Sequence, residues 1–214
     1  MMSSKLRELK VLFTSEARVR VLARLVLHAA DRFYQSEMAH LESLPIKAVQ
    51  RELAKLVPFG LIRRAGKSGR QRLYQVNRLH PLYAELKAMI LKAMIVGTHP
   101  ERLRRPPLAK VRVAFVFGSV AKSEEDRKSD IDILVVGEVT STEWSALIRD
   151  SRLLDFREEN SIVMPEEEFK RRLASREQFL TGVARGPKIF LIGGEDELRR
   201  LGEESKAPAP SPNP

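Results

Sequence analysis

The stretch VAFVFGSVAKSEEDRKSDIDILVVG, residues 113–137, decides the fold of the second half of the chain. The β-branched and aromatic run 111–117 reads as a buried strand that stops at Gly118-Ser119. Glycine lets backbone approach a ligand closely, and the free N–H groups of a helix start bind phosphate. Ten residues separate Ser119 from Asp130, enough for a short helix and a loop leading to a neighbouring strand. On that strand Asp130 and Asp132 stand two apart, so both side chains leave the same face, while Ile131, Ile133 and Val135 turn to the core. Two adjacent carboxylates repel unless a cation lies between them, and their hard oxygens suit Mg²⁺.

Working outward, the spacing predicts further strands at 131–136, 161–164 and 189–192, alternating with helices at 142–154 and 166–183. Thr140 followed by Glu143 has capping-box spacing, and Glu166-Glu167-Glu168 suits the positive end of the next helix. Strand alternating with helix is an α/β pattern. A Gly-Ser turn or an Asp-x-Asp strand is weak evidence alone; strand, Gly-Ser, ten residues and Asp-hydrophobic-Asp together are specific.

In this combination the segment resembles the minimal, stand-alone members of the DNA polymerase β-like nucleotidyltransferase superfamily, with Gly118, Ser119, Ala121, Glu124, Ser129, Asp130 and Asp132 matching. Ser123 departs, since glycine is usual there. The resemblance implies a mixed sheet, with Gly118 and Ser119 holding the phosphates of a nucleoside triphosphate. It implies Asp130 and Asp132 as catalytic ligands of Mg²⁺ or Mn²⁺ for transfer of a nucleotide, AMP from ATP, to a hydroxyl. Active members carry a third carboxylate on a later strand. Here Asn160 stands in that position, and a neutral amide is a poor base. Glu158 lies on the same strand face two residues away, whereas Glu159 leaves the opposite face.

The first half has a different character. Residues 1–92 hold 18 Lys and Arg against 7 Asp and Glu, a surplus of 11, while residues 93–214 are close to balance. A segregated basic surplus points to a polyanionic partner. A helix is expected over 15–28 and a short one over 36–41, followed by a helix opened by Ser43-Leu44-Pro45. In that helix Ile46, Val49, Leu53 and Leu56 should face the core, leaving Lys47, Gln50, Arg51 and Lys55 outward to meet phosphates and base edges. Two strands, 61–64 and 70–76, joined by 65–69, form a hairpin bearing Arg63, Arg64, Lys67, Arg70 and Arg72. Three helices and a basic hairpin resemble the winged helix-turn-helix of ArsR-like transcriptional regulators, which implies binding to double-stranded DNA and, commonly, a homodimer. Helix 82–95 is apolar on more than one face, as core or as dimer contact.

The resulting division is α+β: a winged-helix unit at 1–95, a linker at 96–110, a nucleotidyltransferase-fold domain at 111–200 and a disordered Pro- and Ser-rich tail at 201–214. There are no cysteines, the four histidines show no metal spacing, and no apolar run spans a membrane, so a cytoplasmic protein is expected. Two functions fit: a DNA-binding nucleotidyltransferase, or a transcriptional regulator that binds nucleotide and metal at the same site without turnover.

Overall fold

The computed structural model describes residues 4–68 and 71–204. Two short helices, α1 (Ser4–Arg7) and α2 (Lys10–Phe13), lead into α3 (Glu16–Leu27), which Ser15 caps by accepting from the Arg18 N–H at 3.2 Å. Then come β1 (Phe33–Tyr34), α4 (Gln35–Leu41), α5 (Ile46–Leu56), β2 (Ile62–Ser68) and β3 (Gln71–Val76). The three strands pair antiparallel in the order β1-β3-β2. Helix α6 (Tyr83–Ile95) and two short 3₁₀ turns at 100–104 and 108–110 follow, and Leu108 of the second turn is buried in the core.

The second half is β4 (Val111–Phe117), α7 (Gly118–Lys122), β5 (Ile131–Gly137), α8 (Ser141–Ser151), β6 (Glu159–Met164), α9 (Glu166–Ala174), α10 (Gln178–Arg185), β7 (Ile189–Ile192) and α11 (Glu195–Glu204). Its sheet is mixed, in the order β6-β5-β4-β7, with β5 and β6 parallel and the other pairs antiparallel. One face carries Val113, Phe115, Leu134, Val136 and Met164 against Phe169, Leu180, Leu198 and Leu201 of α9, α10 and α11. The other carries Ala114, Val116, Ile133 and Val135 into a core continuous with the N-terminal helices.

Helix α6 lies between the halves, against α1 and α3 on one side and β7 and α8 on the other. That is why it is apolar on several faces: Tyr83, Leu86, Ile90, Leu91, Met94 and Ile95 are all buried within the chain, so these faces are core rather than a dimer contact.

Four local expectations are corrected. The helix expected at 166–183 is two helices, broken where Arg176 takes φ 55° and Arg172 closes the turn with two 2.7 Å bonds to Glu177. The hairpin does not end its first strand at residue 64; pairing continues to Ser68 across a bulge between Arg64 and Gly66, where φ is 137°. Helix α5 starts one residue after Pro45, leaving Ile46 45% exposed, and Ala48 and Glu52 are buried instead. Glu52 is buried because Ser15 Oγ and Arg18 Nε both donate to it. Helix α11 continues past 200 to Glu204, because Leu201 packs into the second core. Residues 205–214 lie outside the described residues.

The Thr140 capping box forms as expected: Thr140 Oγ1 accepts from the Glu143 N–H at 3.2 Å, and Glu143 Oε2 accepts from the Thr140 N–H at 2.9 Å. It orients α8 so that buried Trp144 donates to Ser161 Oγ on β6 at 2.7 Å. Thr140→Ala should lower the unfolding free energy by about 1 kcal/mol, measured by urea titration; an unchanged midpoint would show that the cap does not hold α8.

Candidate functional site

Strand β4 delivers its chain to Gly118, where φ is 73° and a Cβ would stand 2.5 Å from Asp132 Oδ2. Only glycine fits this close approach. Antiparallel pairing sets Phe117 opposite Asp132, and parallel pairing sets Asn160 beside Asp132 on the other side. Gly118, Asp132 and Asn160 therefore converge at one end of the sheet, with Asp130 just ahead of β5. Asn160 Nδ2 donates to Asp130 Oδ2 at 3.4 Å. Ser119 follows Gly118 in the short helix α7 and is half-buried; its carbonyl accepts from the Glu124 N–H at 3.0 Å.

Burial pushes the Asp132 pKa up, and the neighbouring Asp130 charge adds to the rise, while the Asn160 amide partly offsets both. The amide thus supplies the positive edge that two converging carboxylates require. Two hard carboxylates side by side, with ionisation of Asp132 opposed by burial, are a donor set that fits a divalent cation. Among the described residues no third Asp, Glu or His side chain joins them. Glu158 is exposed just before β6, and only its carbonyl reaches β5, accepting from the Ile131 N–H at 2.9 Å. Glu159 lies on the opposite face, where its carboxylate accepts a hydrogen bond from the Ser161 hydroxyl. The side chain that the register sets beside Asp132 is Asn160.

Residues 98–185 match the family model of the nucleotidyltransferase domain, so the chain carries such a domain there. The match runs from the 3₁₀ turns to the end of α10 and includes Gly118, Ser119, Asp130, Asp132 and Asn160. No curated protein and no solved structure matches the chain.

The other predicted residues lie far off in the sequence, on α5 and the β2–β3 hairpin. Lys47, Gln50, Arg51 and Lys55 are exposed on one side of α5, as are Arg63 and Arg64 on β2 and Arg72 on β3. Gln50 Nε2 donates to Gln35 at 3.2 Å, and Arg63 Nη2 to its cross-strand partner Gln75 at 2.9 Å. Lys67 sits opposite Arg72 in the strand register, and Arg70 lies outside the described residues. A groove of about 450 Å³ separates the start of α4 and α5 from β3, lined by Tyr34, Gln35, Ser36, Ile46, Gln71 and Arg72 among others. Tyr34, Gln35 and Ser36 were not singled out from sequence, because neither charge nor periodicity marks them. Three arginines of this half are paired internally, Arg18 with Glu52, Arg20 with Glu16 and Arg24 with Glu42, and since each pair also uses an acid the basic surplus is left intact. Among the described residues no helix is long and apolar enough to cross a membrane.

A carboxyl whose folded pKa is raised contributes stability that is present below its ordinary value and lost as pH rises through the folded value. Asp132→Asn should therefore raise the melting temperature of the metal-free protein at neutral pH, with the gain vanishing well below pH 3.8, the ordinary value. A variant less stable than the parent at neutral pH would show that the carboxylate is held by favourable contacts instead.

Proposed function

We propose that the protein is a DNA-binding nucleotidyltransferase. On this reading Asp130 and Asp132 hold Mg²⁺ or Mn²⁺, and Gly118 and Ser119 cradle the phosphates of a nucleoside triphosphate. The nucleotide, AMP from ATP, passes to a hydroxyl acceptor. The observation that carries it is the approach of Asp132 to Gly118, which puts carboxylates and phosphate cradle within one ligand's reach. The metal, when bound, neutralises phosphate charge and polarises the α-phosphorus. The chain's own residues orient the triphosphate, and the Asn160 amide partly offsets the burial that opposes ionisation of Asp132.

Asn160 supports a second reading, a transcriptional regulator whose site binds nucleotide and metal without turnover, because an amide cannot remove the acceptor's proton. Binding and turnover separate experimentally. ATP should stabilise the protein against heat only with Mg²⁺ or Mn²⁺ present, and Asp130→Asn or Asp132→Asn should each abolish that stabilisation. In pyrophosphate-release assays Asn160→Asp should raise turnover by about 10²-fold with little change in affinity. Fast turnover by the unmodified protein would refute the regulator reading, and no metal-dependent binding of any triphosphate would refute both.

The N-terminal half we read as a winged helix-turn-helix, with α5 as recognition helix and the β2–β3 hairpin as wing, binding double-stranded DNA as a homodimer in a cytoplasmic protein. The exposed row Lys47, Gln50 and Arg51 on α5, with exposed Arg64 and Arg72 on the hairpin, supports it. Affinity for duplex DNA should fall by roughly 10³-fold between ~50 and ~200 mM salt. Arg64→Ala should weaken all sequences alike, while Gln50→Ala or Arg51→Ala should relax sequence preference. A salt-insensitive interaction would point to a protein partner in place of DNA.

A further inference from the structure

The segment between Ser119 and Asp130 joins the proposed phosphate cradle to the proposed metal ligands, and residues 124–130 have no helix or strand to hold them. Within the segment, an Asp126–Ser129 turn supplies the local order: Ser129 Oγ accepts from the Asp126 N–H at 2.9 Å, and Asp126 Oδ1 accepts from the Lys128 N–H at 2.8 Å. The long-range anchors come chiefly from the N-terminal half. Arg78 donates to the Ser123 and Glu125 carbonyls at 3.2 and 2.6 Å. Lys87, 1% exposed on α6, donates to the Val120 carbonyl at 2.9 Å, Ser123 Oγ at 3.2 Å and Glu125 Oε1 at 2.8 Å. The Tyr83 hydroxyl donates to the same Glu125 oxygen at 2.9 Å, and Arg127 pairs with Asp31 at 2.7 Å. Arg157 closes the far end, with Nη1 donating to the Asp126 and Ser129 carbonyls and Nε to the Leu27 carbonyl of α3.

Ser123 shows what this anchoring demands. It holds φ 60°, a conformation that favours glycine, yet its hydroxyl serves as an acceptor for Lys87. A chain that needed the turn alone would be relaxed with glycine; one that needs the turn tied to α6 gains from serine.

We propose that Arg78, Lys87 and Arg157 are positioning residues of the Asp130/Asp132 site, through which the N-terminal half sets how tightly that site holds a metal–triphosphate. The inference rests on the reading of that site given above. None of the three need touch the ligand; each acts through the loop that presents the carboxylates.

Amide hydrogen exchange and calorimetric titration with MgATP on the full chain test it. Arg78→Met removes two anchors and Lys87→Met three, each with little loss of side-chain volume. In either variant the loop amides of Glu124, Lys128 and Ile131 should exchange about tenfold faster, and the MgATP Kd should rise about tenfold, the worth of one lost hydrogen bond to a charged group. Val19→Ala, which thins the α3 core without touching the loop, should lower the melting temperature and leave both readouts unchanged. Should Lys87→Met fail to fold with Glu125 unpaired, Lys87→Met combined with Glu125→Gln removes the buried charge and keeps the packing. Unchanged loop exchange and affinity in folded Arg78→Met and the double variant would overturn the proposal. If the unmodified protein binds no MgATP, the reading of the site fails, and loop exchange alone still decides whether these residues hold the loop.

Discussion

A buried ion pair, Lys87 to Glu125 at 2.8 Å with both side chains 2% exposed or less, is the innermost polar tie between the two halves among the described residues, beside the Arg78, Arg127 and Arg157 contacts. Burying two charges is costly unless their remaining hydrogen-bonding capacity is met, and removing one partner typically costs about 3–5 kcal/mol. Lys87 meets that demand with the Val120 carbonyl and Ser123 hydroxyl, and Glu125 Oε1 with the Tyr83 hydroxyl. Burial pushes the Lys87 pKa down, the Glu125 carboxylate opposes the shift, and the Arg78 and Arg157 charges add to it. Glu125 Oε2 and Arg157 Nη2 nearby are buried with no hydrogen-bond partner among the described residues. The hydrophobic core runs unbroken from Leu6 through α6 to Leu191, so the polar lock sits beside a shared apolar one.

This junction bears on function because of what Glu125 is attached to. Its loop carries Asp130 and, one strand-start later, Asp132, and both must converge on Gly118 for the site to exist. The sheet supplies rigid placement of Asp132 and Asn160; the loop's placement is borrowed from α6 and from Arg78. Asn160, paired in register with Asp132, separates the enzyme and regulator readings through the chemistry of one side chain.

The site was more legible in the sequence than the junction. Strand β4 and strand β7 fall where the β-branched runs place them, and Asn160, which the family resemblance pointed to, is set beside Asp132 by the parallel register of β5 and β6. The break inside 166–183 was hidden because Phe169 and Leu180 both pack into the second core, so the apolar pattern continues through a turn made by Arg176 and Glu177. The extension of the hairpin to Ser68 was hidden because Gly66 reads as a turn residue and acts as a bulge. Lys87 is one charge on an otherwise apolar helix face. Its partner lies 38 residues away in a loop, a separation no local pattern reports. A lysine on the buried ladder of Tyr83, Ile90 and Met94 was the available signal.

If one core and one buried pair unite the halves, they should unfold together. Differential scanning calorimetry of the full chain tests this most directly. A single transition whose calorimetric and van't Hoff enthalpies agree is the expected result. Two resolved transitions, or a calorimetric enthalpy well above the van't Hoff value, would contradict it and leave the nucleotidyltransferase domain folding independently of the helices that hold its loop.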